Sequence, residues 1–410
     1  MLLETRMAKT KTLLALTNAE LETVTRGRIA RGTLLVREGR IAALGRNLAV
    51  PNNSRTMDLQ GRLVTPGLIE AHSHAGLMED GLPGDEDVNE LTDPVTPQLF
   101  AMDAFKPSDV AIREAAEGGV TTMYITAGSA NLFGGVGAIV KTWGARFDDY
   151  ILRPAAGMKM ALGENPKRCY GGKGKEPGTR MGIAALIRKT FNDARNYLEK
   201  KRAHERKQRG KKTPEPFARD LKLEAVARVL SGELPVRCHA HRACDMLTFI
   251  RIAEEYKLRY VFEHATEAGE ILEELKARNV PVIIGPTLGP RGKIETRRKT
   301  FATVAQAFAA GLLVAITSDH WVTPLKNLPV YAALAVREGL SNADALRAMT
   351  INPAKILGLD GRLGSLEAGK DADLVIWDGD PLDARHKPAR VMIGGKFIDQ
   401  VPRWGEEQED

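Results

Sequence analysis

Short apolar runs bounded by turn residues open and close this chain, and a different rhythm fills its middle. Within residues 13–65, RGTLLVREGRIAALG sets two apolar runs on either side of a Glu-Gly turn and MDLQGRLVTPG repeats the pattern, which predicts paired β-strands. DADLVIWDGDP and ARVMIGGKFID repeat it near the C-terminus. Between them, runs such as LRYVFEHAT and GLLVAITSDH alternate with amphipathic stretches such as EAGEILEELKARN, where Ile271, Leu272 and Leu275 share one helical face. Strands alternating with helices predict βαβ units and a parallel sheet, with about seven or eight strands between residues 66 and 360. That is enough for a closed barrel, although periodicity alone does not separate a barrel from an open doubly wound sheet. The two β-rich ends, 1–65 and 360–410, are most economically joined into one small β domain beside a unit spanning 66–359. Residues 165–222 exceed an ordinary βα connection and read as an insertion on the barrel.

Composition narrows the class. With 43 % apolar and 27 % charged residues among 410, the chain supplies a core and is not of disordered type. No apolar stretch approaches the ~20 residues of a membrane span. The N-terminal apolar run is too short for a secretory segment, and Met7 offers a second start. Cys169, Cys238 and Cys244 cannot all pair with one another, so free thiols and a cytoplasmic location are expected. The net charge of +7 invites a nucleic-acid reading, but the segment from Arg188 to Lys212 alone carries +8 and leaves the remainder at −1. That segment has no interleaved aromatics for base stacking, so it reads as a solvated basic helix, and neither nucleic acid nor membrane is expected as a partner.

Five of the eight histidines fall at the C-terminal ends of expected strands: His72 and His74 after VTPGLIEA, His239 and His241 after LPVRC, and His264 after YVFE. Asp319 follows LLVAITS in the same way. In a parallel barrel those ends converge on one mouth, and residues i and i+2 of a strand point the same way, so His72 and His74 can clasp one ion. Imidazoles with a carboxylate suit a divalent metal, Zn²⁺ or Fe²⁺, with a coordination position left for water. The glycine-rich 128–144, GSANLFGGVGAIVKTWG, reads either as a loop shaping a substrate site or as tight barrel packing. It lacks the order of a nucleotide P-loop. Residues 78–93 carry seven acids and no base, and read as a solvated or subunit-contact loop or as a contact for a cationic group. Asn131, Arg242, Arg291, Lys293 and Trp321 fall on the expected mouth loops and are candidates for binding substrate.

PGLIEAHSHAGL, the strand-end His239 and His264, TSDHW, and NPAKILGL followed by GSLEAGKDADLVIWDGDPL together resemble the amidohydrolase superfamily, and within it the imidazolonepropionase-related, metal-dependent hydrolases, over residues 20–400 or so. The resemblance implies a (β/α)₈ TIM-type barrel with a small β-sandwich built from both chain ends. It implies His72, His74, His239 and Asp319 as metal ligands. His264 would be a ligand of a second ion or a group facing substrate and water, and His241 either an alternative ligand or a catalytic neighbour. One or two ions are open, depending on strand 4, where AAGMKMALGENPK offers Glu164 or a carboxylated Lys159 as a further ligand. Paired assemblies are frequent among such relatives, so a homo-oligomer is possible.

The implied reaction is hydrolysis of a C–N bond in a small amide or cyclic amide. The ion lowers the pKa of water from about 15.7 towards about 7, Asp319 relays the proton to the leaving nitrogen, and His264 or His241 helps polarise the carbonyl. One alternative is a heterocycle deaminase on the same site. Deaminases commonly add a glutamate soon after the strand-5 histidine, where this chain has Ala240, His241 and Arg242. The other is a non-catalytic scaffold, against which the retained ligands argue.

Overall fold

In the computed structural model, residues 13–405 are described apart from 81–83, 85 and 214, so Met7 lies outside the described residues, as does part of the acidic 78–93 loop. The N-terminal apolar run is the start of a strand. β1 (Leu14–Glu22), β2 (Arg28–Arg37), β3 (Arg40–Gly45), β4 (Arg55–Asp58) and β5 (Leu63–Pro66) form one part of the first sheet. Its remaining strands come from the far end of the chain.

The second sheet follows directly: β6 (Leu68–Ser73), β7 (Val120–Ile125), β8 (Phe133–Lys141), β9 (Ile151–Ala161), β10 (Val236–Ala240), β11 (Tyr260–His264), β12 (Val282–Ile284) and β13 (Val314–Ile316), hydrogen-bonded in chain order. It is a nearly closed eight-stranded barrel, as expected, with one departure. β8 runs antiparallel to both β7 and β9. The glycine-rich segment is therefore divided: residues 128–132 are a mouth loop and 133–141 are barrel wall. The glycines explain the tight fit, since a Cβ on Gly137 would lie 2.3 Å from the Tyr124 hydroxyl.

β14 (Leu374–Trp377), β15 (Pro388–Ile393) and β16 (Lys396–Phe397) complete the first sheet. β14 pairs antiparallel with β5, Val64 opposite Ile376, so the two chain ends are sewn together beside the barrel. Leu16, Leu34, Val36, Val64, Leu374 and Ile376 form its buried core.

Alternation along the barrel strands sorts side chains between core and site. In β10, Val236, Cys238 and Ala240 pack outward against helices, while Arg237 turns inward to pair with Glu263 of β11. Beneath the site, Ala71, Val261, Ile283 and Ala315 fill one interior layer. Closure between β13 and β6 depends on the residues just past them. Ser318 donates through its backbone N–H and its Oγ to Glu70 Oε2 at 2.9 and 2.8 Å. The Thr317 hydroxyl donates to the His72 carbonyl at 2.8 Å, and the His74 N–H donates to the His320 carbonyl at 2.9 Å. These bonds set the Asp319 turn against the His72–His74 strand end.

The insertion folds as helices over 164–171, 180–208 and 221–230. Thr179 caps the long one by accepting the Gly182 N–H; Ile183, Ile187, Phe191 and Ala194 join the barrel's core, and Tyr197 packs on Phe217. Part of its basic face is used in surface ion pairs, Arg188 with Glu255 at 2.7 Å and Lys201 with Glu224 at 3.0 Å. No helix among the described residues is long and apolar enough to cross a membrane.

Candidate active site

The strand ends bring His72, His74, His239, His241, His264 and Asp319 to one place, all nine-tenths buried or more. His72 Nε2 lies 3.2 Å and His74 Nε2 3.1 Å from the same atom, Asp319 Oδ1. The rings run on as a continuous set, His72 to His264 at 4.9 Å between centroids, His264 to His239 at 4.4 Å and His239 to His241 at 4.8 Å. Two groupings follow, His72–His264–Asp319 and His239–His241–His264, with His264 common to both. The backbone is bent to achieve this: His264 and Asp319 have φ of 71° and 52°, in the left-handed region that non-glycine residues rarely occupy and that clusters at functional sites.

Partners behind the rings decide which nitrogen faces inward. The His74 Nδ1–H donates to the Thr126 carbonyl at 2.7 Å and the His264 Nδ1–H to the Gly285 carbonyl at 2.8 Å, leaving each Nε2 with a free lone pair. His241 Nδ1 meets the Thr266 hydroxyl at 2.8 Å. His72 Nδ1 is 3.0 Å from Glu263 Oε1, but neither that contact nor its approach to Asp319 has hydrogen-bond alignment. Glu263 in turn holds Lys159 at 2.6 Å and Arg237 at 2.9 Å, a buried ionic group directly under His72.

Burial holds His239 and His241 well below the ordinary imidazole range, with the His264 charge adding to it, and brings His264 to about 3. Burial would also depress His72, but the neighbouring Glu263 carboxylate carries it upward. Burial opposes ionisation of Asp319, yet His264, His72 and His74 around it keep it well below the carboxylate range. The cluster is thus made of mostly neutral imidazoles around an ionised carboxylate.

Among the described residues, six side-chain atoms meeting here are buried without a hydrogen-bond partner: both nitrogens of His72, both of His239, Asp319 Oδ1 and Glu295 Oε1. Such atoms are rare and cost about 1–3 kcal/mol each. A tetrahedral ion with ligands at about 2.0–2.2 Å separates its donors by about 3.3–3.6 Å, close to the distances from His72 and from His74 to Asp319, although His74 itself stands in neither grouping. The donor set and the orphaned atoms together fit a divalent metal ion.

A consequence for the metal-free protein follows. Unfolded histidines bind protons below about pH 6.5, whereas His239, His241 and His264 resist them when folded, so the unfolded state binds more protons as pH falls. His72 acts in the opposite sense but is outnumbered. Stability measured by denaturant titration is expected to fall steadily from pH 6.5 towards pH 5, by up to about 1.4 kcal/mol per pH unit for each such histidine. Constant stability over that interval contradicts the arrangement.

The cavity above the cluster has a volume of about 480 Å³ and is lined by His74, His239, His241 and Asp319 with Arg168, Lys293, Lys299 and Trp321, among others. Gly128, Ser129 and Ala130 contribute to its wall. Trp321 and Lys293 thus stand where a substrate would be met. Asn131 does not reach it: its amide donates to the Glu90 carbonyl and the Thr96 hydroxyl and accepts from Tyr170, which ties the 78–93 loop to the barrel. Arg242 lies 4.0 Å from Glu267, outside the lining, and Arg291 donates to the Lys299 carbonyl. Glu164 is in neither grouping. It opens a helix, and its backbone N–H donates to Glu295 Oε2 at 2.8 Å. Lys159 is fully buried against Glu263. Sequence reasoning missed Glu295, whose side chain is fully buried with Oε1 4.0 Å from His239 Nε2 and 3.9 Å from His241 Nε2. A signal existed, because it is the sole acid between Glu274 and Asp319, in a loop rich in arginine and lysine.

Comparison with known proteins agrees with this layout. Residues 237–398 match the model of the Amidohydrolase family. An amidohydrolase from Thermotoga maritima MSB8 of known structure is 44 % identical, with a TM-score of 0.90 over 94 % of this chain and 99 % of that one. Amidohydrolase tasK of Hapsidospora irregularis is 32 % identical over 90 % of this chain, which spans only 40 % of that longer protein. The imidazolonepropionase of Maricaulis maris is 27 % identical, covering 88 % of this chain and 92 % of its own length. The chain belongs to the amidohydrolase family and is an enzyme of the kind that hydrolyses carbon–nitrogen bonds.

Proposed function

We propose that this enzyme is a metal-dependent hydrolase of a small amide or cyclic amide. The observation that carries the reading is the convergence of His72 Nε2 and His74 Nε2 on one partnerless oxygen of Asp319. His72, His74, His239 and Asp319 would hold the ion, with His264 beside them. Zinc suits that donor set best, with iron as the other choice. A divalent ion there supplies Lewis acidity and a water acidic enough to give hydroxide near neutral pH.

The protein's own groups do the rest. Asp319, held ionised, accepts the water's proton on a carboxylate oxygen and returns it to the leaving nitrogen. His241, whose Nδ1 can accept from the Thr266 hydroxyl and leave the proton on Nε2, would orient the carbonyl and stabilise the charge that grows on its oxygen. His264, with its proton on Nδ1, presents an acceptor to the ion or the attacking water. Trp321, 5.5 Å from the His74 ring and 45 % exposed, flanks the cavity mouth and limits water around the reacting bond. Arg168, Lys293 and Lys299 line the cavity against Asp319, the one acid lining it among the described residues, which suits a substrate bearing a carboxylate, such as an N-acyl amino acid or a dipeptide.

Chelation to less than a tenth of the native metal content is expected to abolish hydrolysis across a panel of N-acyl amino acids, dipeptides and cyclic amides, and readdition of zinc to restore it. Undiminished turnover by stripped protein sinks the reading. Ammonia release from a heterocycle, with no amide opened, identifies a deaminase instead.

A further inference from the structure

We propose that Lys299 takes the substrate's carboxylate, and that this carboxylate sits on the carbon next to the scissile nitrogen, so that the substrate is an N-acylated α-amino acid. The proposal rests on the hydrolase reading and narrows it to one side chain and one arrangement of groups. Lys299 lies in the loop that follows β12, is only 8 % exposed, and lines the cavity above the histidine cluster. Its ammonium has three N–H donors. Two are engaged by the carbonyls of Gly289 and Pro290, at 2.8 and 3.0 Å, which fix the nitrogen in place. The third is left over, and among the described residues no carboxylate pairs with it. A buried cation without a counter-charge is a costly arrangement that an anion entering the cavity relieves.

The other two cations of the cavity are less suited. Lys293 already faces an acid, its Nζ 3.8 Å from Glu295 Oε1. Arg168, on the helix over 164–171, is exposed, where charge pairing is screened and weak. Placement relative to the reacting bond follows from charge. Burial and the neighbouring Arg291 hold the Lys299 ammonium below the ordinary lysine range, while Asp319 pulls it back up. The field of Lys299 is felt at His241 as well. An ammonium this close to the cluster can meet a carboxylate one carbon from the nitrogen that Asp319 protonates. A carboxylate at the end of a longer chain is displaced from it, and a substrate without one leaves it bare. Trp321 and Val322 line the same cavity with half-exposed apolar surface, so an apolar side chain on that carbon has a wall to lie against.

The test reads binding, not turnover. N-methanesulfonyl-L-leucine, a sulfonamide that resists hydrolysis, is titrated by calorimetry into zinc-loaded full-length protein, beside its carboxamide and its homologue with one more methylene between nitrogen and carboxylate. The wild type is expected to bind the acid about 10–100-fold more tightly than the carboxamide, the range for a hydrogen bond to a charged group, and more tightly than the homologue. Lys299→Met is expected to bind acid and carboxamide about equally, while Lys293→Met and Arg168→Gln keep the preference. A merely loosened loop weakens both compounds together and leaves their ratio unchanged. Lys299→Gln, which can still donate to the two carbonyls, takes the place of Lys299→Met if that variant does not fold. A preference retained by the Lys299 variant, a homologue bound as tightly as the acid, or a wild type that binds no acid overturns the proposal. Turnover is scored separately. A wild type with these preferences that opens no amide overturns the hydrolase reading and leaves the Lys299 assignment standing, whereas amide hydrolysis without them overturns the assignment alone.

Discussion

Asparagine at position 319 is expected to give a folded protein whose kcat on any accepted amide falls about 10²–10⁴-fold, the usual range for loss of a positioned acid–base group. The substitution is chosen for its backbone. Asp319 sits at φ 52°, and asparagine is among the few residues that tolerate this region, so the turn just after β13 survives. Its N–H keeps the Thr317 hydroxyl as acceptor at 3.1 Å. What disappears is the negative charge at the focus of His72, His74 and His264, and with it both the proton acceptor and one anionic donor to a metal. Circular dichroism and metal analysis accompany the kinetics. Reduced metal content with residual activity on full reloading assigns the loss to binding, whereas full loading with lost turnover assigns it to proton transfer. Wild-type rates across the whole panel remove Asp319 from the mechanism.

Much of this site is legible in the chain because strand ends carry a readable signature. His72, His74, His239, His264 and Asp319 each follow an apolar run, and a parallel barrel delivers such positions to one rim. The structure does bring them together. Loop contributions are less legible. Asn131 and Arg242 were placed at the mouth by their order in the sequence, yet side-chain direction in a loop is set by contacts with distant segments, Glu90 and Thr96 for one and Glu267 for the other. Glu164 and Glu295 illustrate the same limit, since a helix start and a mouth loop some 130 residues away meet through one backbone hydrogen bond. The antiparallel β8 was hidden for another reason. GGVG has the composition of a loop, and only the closeness of Tyr124 and Leu99 to its backbone requires glycine within a wall strand.

Glu263 is the position where a single truncation is expected to cost the most stability. Its carboxylate, fully buried, faces Lys159 at 2.6 Å, Arg237 at 2.9 Å and His72 at 3.0 Å, and these partners hold it ionised despite its burial. Glu263→Ala leaves Lys159 and Arg237 inside the barrel without their counter-charge, and breaking a buried pair in this way costs about 3–5 kcal/mol. Arg237 retains the Ala71 carbonyl and the face of Tyr124, whereas Lys159 has no other partner among the described residues, so most of the penalty falls on Lys159. The double variant Lys159→Met/Glu263→Ala should therefore be markedly less destabilised than the sum of its single changes, with a coupling of about 0.5–3 kcal/mol. Denaturant titration of the four metal-free proteins measures it. Strict additivity means the buried ionic group is not cooperative. If it is, Glu263 fixes the His72 ring from below by the same charge that neutralises Lys159, and barrel stability and site geometry rest on one carboxylate.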